Sequence, residues 1–186
     1  MHQFICILFM IAGMMACIEV CQNRAPKKVR KVILTVVFCT YCFGNLYATV
    51  LSRNVGYDAQ VELMPFHTYF ELFDITESNR PIGNNVIAVF LKGTPPIVGL
   101  ILNILLYYPL GYLLAVMSPQ LKPKYVILIG CLCSIVTEAS QYILKIGWCE
   151  TDDVIDNTLG TAIGVWVWHL QSKRLNKQKT NELPKD

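Results

Sequence analysis

The sequence predicts an all-α fold: a polytopic transmembrane bundle of about five helices, with a long outer loop carrying interfacial segments. Three observations predict it. The chain is 54% hydrophobic and only 16% charged, with a mean hydropathy of +0.43, so little polar side chain is left to clothe a water-facing surface. Four runs approach the roughly 20 apolar residues that a hydrocarbon core requires, and a fifth is polar at one end only. Lysine and arginine gather on alternate connections, as they do when positive charge is kept on one side of a membrane.

The spans are expected near residues 4–20, 32–51, 97–117, 125–144 and 154–170, all within one transmembrane domain of residues 1–171. The first could be read as a cleaved signal, since Met14-Met15-Ala16-Cys17 faintly resembles a lipoprotein cleavage site. Such a signal carries its basic residues before the apolar stretch, whereas here they follow it, which favours a retained helix. Arg24, Lys27, Lys28, Arg30 and Lys31 fill the linker to the second span. Lys122 and Lys124 flank the turn between the third and fourth spans. Lys173, Arg174, Lys177, Lys179 and Lys185 fill a basic tail, residues 172–186. Only Arg53, Arg80, Lys92 and Lys145 fall on the other side. This asymmetry puts the N-terminus outside and the tail in the cytoplasm, and it accounts for the net charge of +3 without a nucleic-acid partner.

Between the second and third spans lies an outer loop, residues 52–96, long enough to carry structure or function of its own. The stretch Met64-Pro65-Phe66-His67-Thr68-Tyr69-Phe70-Glu71-Leu72-Phe73 is rich in aromatic side chains that suit the headgroup boundary, and Asn85 to Leu91 forms a second apolar patch. Both are expected to lie on the membrane or to fold back over the helix ends; simple anchoring is the plainer role. His67 is read as a surface histidine. Of the eight cysteines, seven lie in or at the ends of apolar helices, where free cysteine behaves as a small hydrophobe. Cys39 and Cys42 have CxxC spacing, but within a span packing outweighs a redox or zinc role. Cys149 alone is expected to face outward, so no external disulfide is expected within the chain.

Ionisable and amide side chains at membrane depth are costly and normally face a cavity or a partner, so the few present carry most of the functional signal. Glu138 and Gln141 share a face of the fourth span, with Glu138 about 9 Å from its outer end at 1.5 Å per residue. Asn103 lies at a similar depth in the third. Asp153, Asp156, Asn157, Gly160 and Gly164 form one stripe on the fifth, whose small residues allow a neighbouring helix to approach closely. Three spans therefore bring carboxylates and amides to one level near the outer face. Arg53, just past the second span, is the nearest cation, and Lys145 lies one turn beyond Gln141. Asp152 is read as an N-cap, while Pro109 and Gly111 either kink the third span or are merely tolerated in it.

Taken in order, Arg53, Met64-Pro65-Phe66, Asn103 with Pro109-Leu110-Gly111, Glu138-x-x-Gln141, and Asp153-x-x-x-Asn157-Thr158-Leu159-Gly160 with Gly164 resemble the VanZ-like family of bacterial membrane proteins. The resemblance covers roughly Leu46 to Trp168. Tyr107 and Tyr108 stand where the family often has phenylalanine, and Asp156 where an apolar residue is common, which makes Asp156 a weaker site residue than Asp153. The family takes its name from a component associated with resistance to the glycopeptide teicoplanin. The resemblance thus implies a multi-pass protein of the bacterial cytoplasmic membrane that influences susceptibility to a lipid-bearing glycopeptide.

The expected site is an outward polar pocket of Arg53, Asn103, Glu138, Gln141, Asp153 and Asn157. It would bind a lipid headgroup or an amphiphile, with Arg53 meeting a phosphate or carboxylate. Membrane lipids are the expected partners, together with a lipid-linked cell-wall precursor or a lipoglycopeptide. No cofactor and no catalytic residue are assigned. In the alternative reading, the same groups hold a divalent cation and act on a lipid-linked phosphate in cell-envelope metabolism, with Glu138 as general base; the cluster contains no histidine or serine nucleophile and no compact metal signature. A proton-coupled transporter is a third class, disfavoured by the lack of an inverted repeat.

Overall fold

A computed structural model of the chain describes residues 13–16, 18, 25–53, 55–56, 60–72 and 95–181. It is a helical bundle. α1 spans Lys27–Leu46 and runs on as a five-residue π-helical turn, Tyr47–Leu51. β1 is Val61–Glu62 and α2 is His67–Leu72. α3 spans Pro95–Met117, α4 Pro123–Ile143, β2 Cys149–Glu150 and α5 Thr151–Asn181. Residues 13–16 and 18 are helical; most of the first expected span, and the apolar patch from Asn85 to Leu91, lie outside the described residues.

Among the described residues, three helical segments are long and apolar enough to cross a membrane: Lys27–Leu51, Val98–Met117 and Pro123–Ile143. These are the second, third and fourth expected spans. α1 begins five residues before its expected start, because Lys27, Lys28, Arg30 and Lys31 adopt helix outside the apolar run. The fifth expected span is not among the three. It is one helix from Thr151 to Asn181, opening on carboxylates and continuing about ten residues past the expected end. Gln171, Lys173, Arg174 and Lys177 are good helix formers, and the two lysines at 173 and 177 and Arg174 are exposed on it. Hydropathy marks where a chain leaves lipid; it does not mark where helix ends.

α4 shows the membrane pattern most clearly. Its buried residues, Val126, Gly130, Ser134, Glu138 and Gln141, recur at helical spacing on one face. Leu128, Ile129, Leu132, Ile135, Val136 and Ile143 are exposed on the others. The polar and small residues face protein and the apolar ones face out, the reverse of a water-soluble helix.

Close backbone contact joins α5 to α3, and the Thr161 side chain joins it to α4. A Cβ added at Gly160 or Gly164 would lie 2.2 Å from the carbonyl oxygen of Ile104 or Tyr108, respectively. At Gly111 the backbone oxygen of Thr161 would be 2.0 Å away, and at Gly130 the Thr161 Oγ1 would be 2.3 Å away. Thr161 is thus wedged between two helices that carry no side chain where it sits, the small-residue packing expected from the Gly160–Gly164 pair. Below it, Ile18, Leu34, Tyr112, Leu113 and Val116 form an apolar cluster, with Tyr112 edge-on to Trp168 at 6.0 Å. This packing fixes the lower half of the bundle and leaves the polar level above it.

Candidate functional site

The end of the bundle that carries Arg53 is closed by short irregular segments with defined hydrogen bonds. In the π-helical turn, Ser52 N–H donates to Tyr47 O at 2.9 Å, an i to i−5 bond that re-aims the chain just before Arg53. Two residues past α4, Lys145 has a positive φ of 54°, and its carbonyl accepts from Gly56 N–H at 3.0 Å. β1 and β2 pair in parallel, Val61 with Cys149 and Glu62 with Glu150. Glu150, with Thr151 directly after it, is thereby fixed above the helix ends.

The polar residues of α3, α4 and α5 meet beneath this closure. Glu138 and Gln141 are each only 2% exposed. Glu138 Oε2 accepts from Glu150 N–H at 3.2 Å, and its charged neighbours are Asp153, Arg53 and Glu150. Gln141 Nε2 donates to Thr49 O at 3.2 Å, while its Oε1 lies 3.5 Å from Arg53 Nη1, at the long limit of a hydrogen bond. Gly147 makes room for that guanidinium: a Cβ there would be 2.7 Å from Arg53 Nη1. Asn103 Nδ2 donates to Asp153 Oδ1 at 2.6 Å. One turn deeper, Asn157 Nδ2 donates to Ser134 Oγ at 2.8 Å, and Tyr107 OH lies 3.0 Å from Thr137 Oγ1.

All six residues singled out from the sequence are therefore in one region, in two tiers. Arg53, Asn103, Glu138, Gln141 and Asp153 form the upper tier, and Asn157 belongs to the lower one with Ser134 and Tyr107. Lys145 is exposed.

Two aspartates have a different role from the one expected. Asp152, expected as an N-cap, lies instead inside the first turn of α5, which starts at Thr151; it is buried, and its Oδ1 accepts from Phe66 N–H at 2.5 Å. Asp156, also buried, accepts from Tyr69 OH. The stripe on α5 thus divides, with Asp153 facing α3, Asn157 facing α4, and Asp152 and Asp156 holding the outer segment. The aromatic stretch around Phe66 folds back over the start of α5, one of the two placements expected of it. Its Tyr69 hydroxyl stays protonated, since burial and the bond to Asp156 push its pKa up.

Glu150, Ser134, Thr49 and Tyr107 were not singled out. Ser134 was legible in principle, one turn below Glu138 on the same face; a two-residue strand pairing at Glu150 has no local signature. Burial, and then Asp152 beside it, hold the Glu150 carboxyl above the usual range, opposed by His67 and Arg53. His67, expected merely at the surface, therefore belongs to the charged surroundings of Glu150. Burial and Glu138 raise the Cys149 thiol, which stays protonated; the five described cysteines are free. Among the described residues, no group of three or more His, Cys, Asp or Glu side chains has the geometry to hold a metal ion.

Chemically, the arrangement is a buried acceptor-rich cluster with one guanidinium at its edge. A profile of the VanZ/LLP1 family matches residues 32–172, a wider range than the residues that suggested the resemblance. Protein VanZ of Enterococcus faecium is 30% identical over 83 residues, 44% of this chain and 50% of that protein, so the match spans half of that relative's length. No solved structure matches the chain.

Proposed function

This chain belongs to the VanZ/LLP1 family, and from that premise we propose that it is a multi-pass protein of the bacterial cytoplasmic membrane whose outer polar cluster binds the headgroup of an amphiphile, thereby lowering susceptibility to a lipid-bearing glycopeptide such as teicoplanin. The observation that carries the reading is the burial of Glu138. A carboxylate 2% exposed, beside Asp153 and with one backbone N–H for a donor, is expensive to keep at membrane depth unless it is used. Arg53, exposed at the edge of the cluster, supplies the fork of donors that suits a phosphate or carboxylate. Headgroup access from the outer leaflet follows from the orientation proposed here, with twelve of the sixteen basic residues on the opposite side.

The test is teicoplanin and vancomycin susceptibility of cells making the wild type, Glu138→Gln, Arg53→Ala or Asp153→Asn at matched membrane levels. Selective protection against teicoplanin by wild type, lost in the three variants, supports the reading. Protection by variants as strong as wild type makes the cluster structural. No protection by wild type removes the resistance role.

A further inference from the structure

The cluster has more acceptors than donors, and the imbalance is sharpest in its lower tier. α4 and α5 run in opposite directions, so Ser134 lies one turn below Glu138 and Asn157 one turn below Asp153, about 6 Å for four residues at 1.5 Å each. The donors nearby are already engaged, the Ser134 hydroxyl with Tyr107 among them. Asn103 Nδ2 is on Asp153 and Asn157 Nδ2 on Ser134. Thr137 donates to Cys133 O at 3.1 Å, so the Tyr107 hydroxyl is the donor in its 3.0 Å bond to Thr137. What remains is Asn157 Oδ1. It is buried on a residue 3% exposed and has no hydrogen-bond partner among the described residues. Native proteins rarely leave such an atom unpaired. In the tier one turn above, Glu138 and Asp153 each accept one hydrogen bond among the described residues, where a carboxylate has room for about four.

We propose that Asn157 Oδ1, Glu138 and Asp153 form a seat for a primary ammonium group, carried by an amphiphile whose phosphate meets Arg53. This rests on the headgroup-binding reading and names the ligand class. A primary ammonium brings three N–H donors and a positive charge, matching two carboxylates and an amide oxygen. A hydroxyl brings one donor and no charge. A trimethylammonium brings the charge but no donor, and leaves Asn157 Oδ1 unpaired. The guanidinium and the acceptors are arranged as a zwitterionic headgroup requires: the anion site lies at the exposed edge and the cation site beneath it.

The experiment is native mass spectrometry of the full chain released from nanodiscs holding equal amounts of phosphatidylethanolamine, phosphatidylcholine and phosphatidylglycerol, with a melting curve for each variant. Wild type is expected to retain phosphatidylethanolamine about tenfold over phosphatidylcholine, as a site built around N–H donors discriminates. Asn157→Leu and Glu138→Gln should bring the ratio near unity; if the first fails to fold, the second, nearly isosteric, carries the test. Displacement of bound lipid by free ethanolamine supports the ammonium seat and makes a soluble amine its source. Equal retention of all three lipids, reduced by Arg53→Ala, overturns the ammonium seat and leaves headgroup binding standing. A preference that survives both variants also overturns it. Retention of none overturns headgroup binding itself.

Discussion

The finest control over the cluster is exerted by residues that never enter it. Gly147 is one: its missing side chain leaves space for the Arg53 guanidinium next to Gln141. In Gly147→Ala the new methyl meets the far end of a flexible side chain, so Arg53 swings away at little energetic cost. Stability measured by thermal unfolding in detergent should change by less than about 1 kcal/mol, while teicoplanin protection falls as it does in Arg53→Ala. Glu150 provides a second test at this scale. Its folded-state pKa is raised by burial and by Asp152, so the folded chain holds that proton more tightly than the unfolded chain does. Its contribution to stability is fully present below the ordinary glutamate pKa and is lost as pH rises through the raised one. Melting temperatures across that window should fall less steeply in Glu150→Gln than in wild type; identical slopes would show that Glu150 is not linked to folding.

Among the elements, α5 is held to α3 through bare backbone. A methyl at Gly160 or Gly164 meets a carbonyl oxygen at 2.2 Å, and no side chain can rotate to relieve it. Gly160→Ala should therefore destabilise the bundle by about 1–3 kcal/mol, the usual range for overpacking, read from unfolding in a denaturing detergent titration. Gly147→Ala is the matched comparison, since there the clash is with a mobile tip. The elements were also where the sequence was most and least informative. α4 was legible because Glu138 and Gln141 lie on the one face that is not apolar, and Asn103 and Asp153 could be paired by depth alone. The run of α5 to Asn181 was not legible, because hydropathy falls where helix does not. Nor was the division of the α5 stripe, since spacing places Asp153, Asp156 and Asn157 on one side of a helix without saying that three neighbours share that side. Tyr69 meets Asp156, and Glu150 is held by β1, through contacts remote in sequence, which no window of the chain displays.

For the whole molecule, the proposed orientation makes a direct prediction. In a cysteine-free background, Leu63→Cys on the outer segment should react with a membrane-impermeant maleimide added to intact cells, and Gln120→Cys in the turn before α4 should react only after the membrane is opened. Both positions are exposed, so accessibility reports sidedness and not burial. The opposite labelling pattern would invert the topology and place the cluster at the cytoplasmic leaflet, against the distribution of lysine and arginine.

The parallel pairing of Val61 and Glu62 with Cys149 and Glu150 joins segments about 90 residues apart. During synthesis the first of these strands emerges long before its partner exists. The loop between them can close only after α3 and α4 have been made, and such distant closures come late because their entropy is lost before any contact compensates. Glu138 receives its one backbone donor from the second strand, at Glu150. Until the ribosome has delivered that residue, the carboxylate is a bare acid in a half-built bundle. The order of biogenesis therefore separates insertion from competence: the helices can enter the bilayer one after another, whereas the binding cluster is completed in a single step near the end.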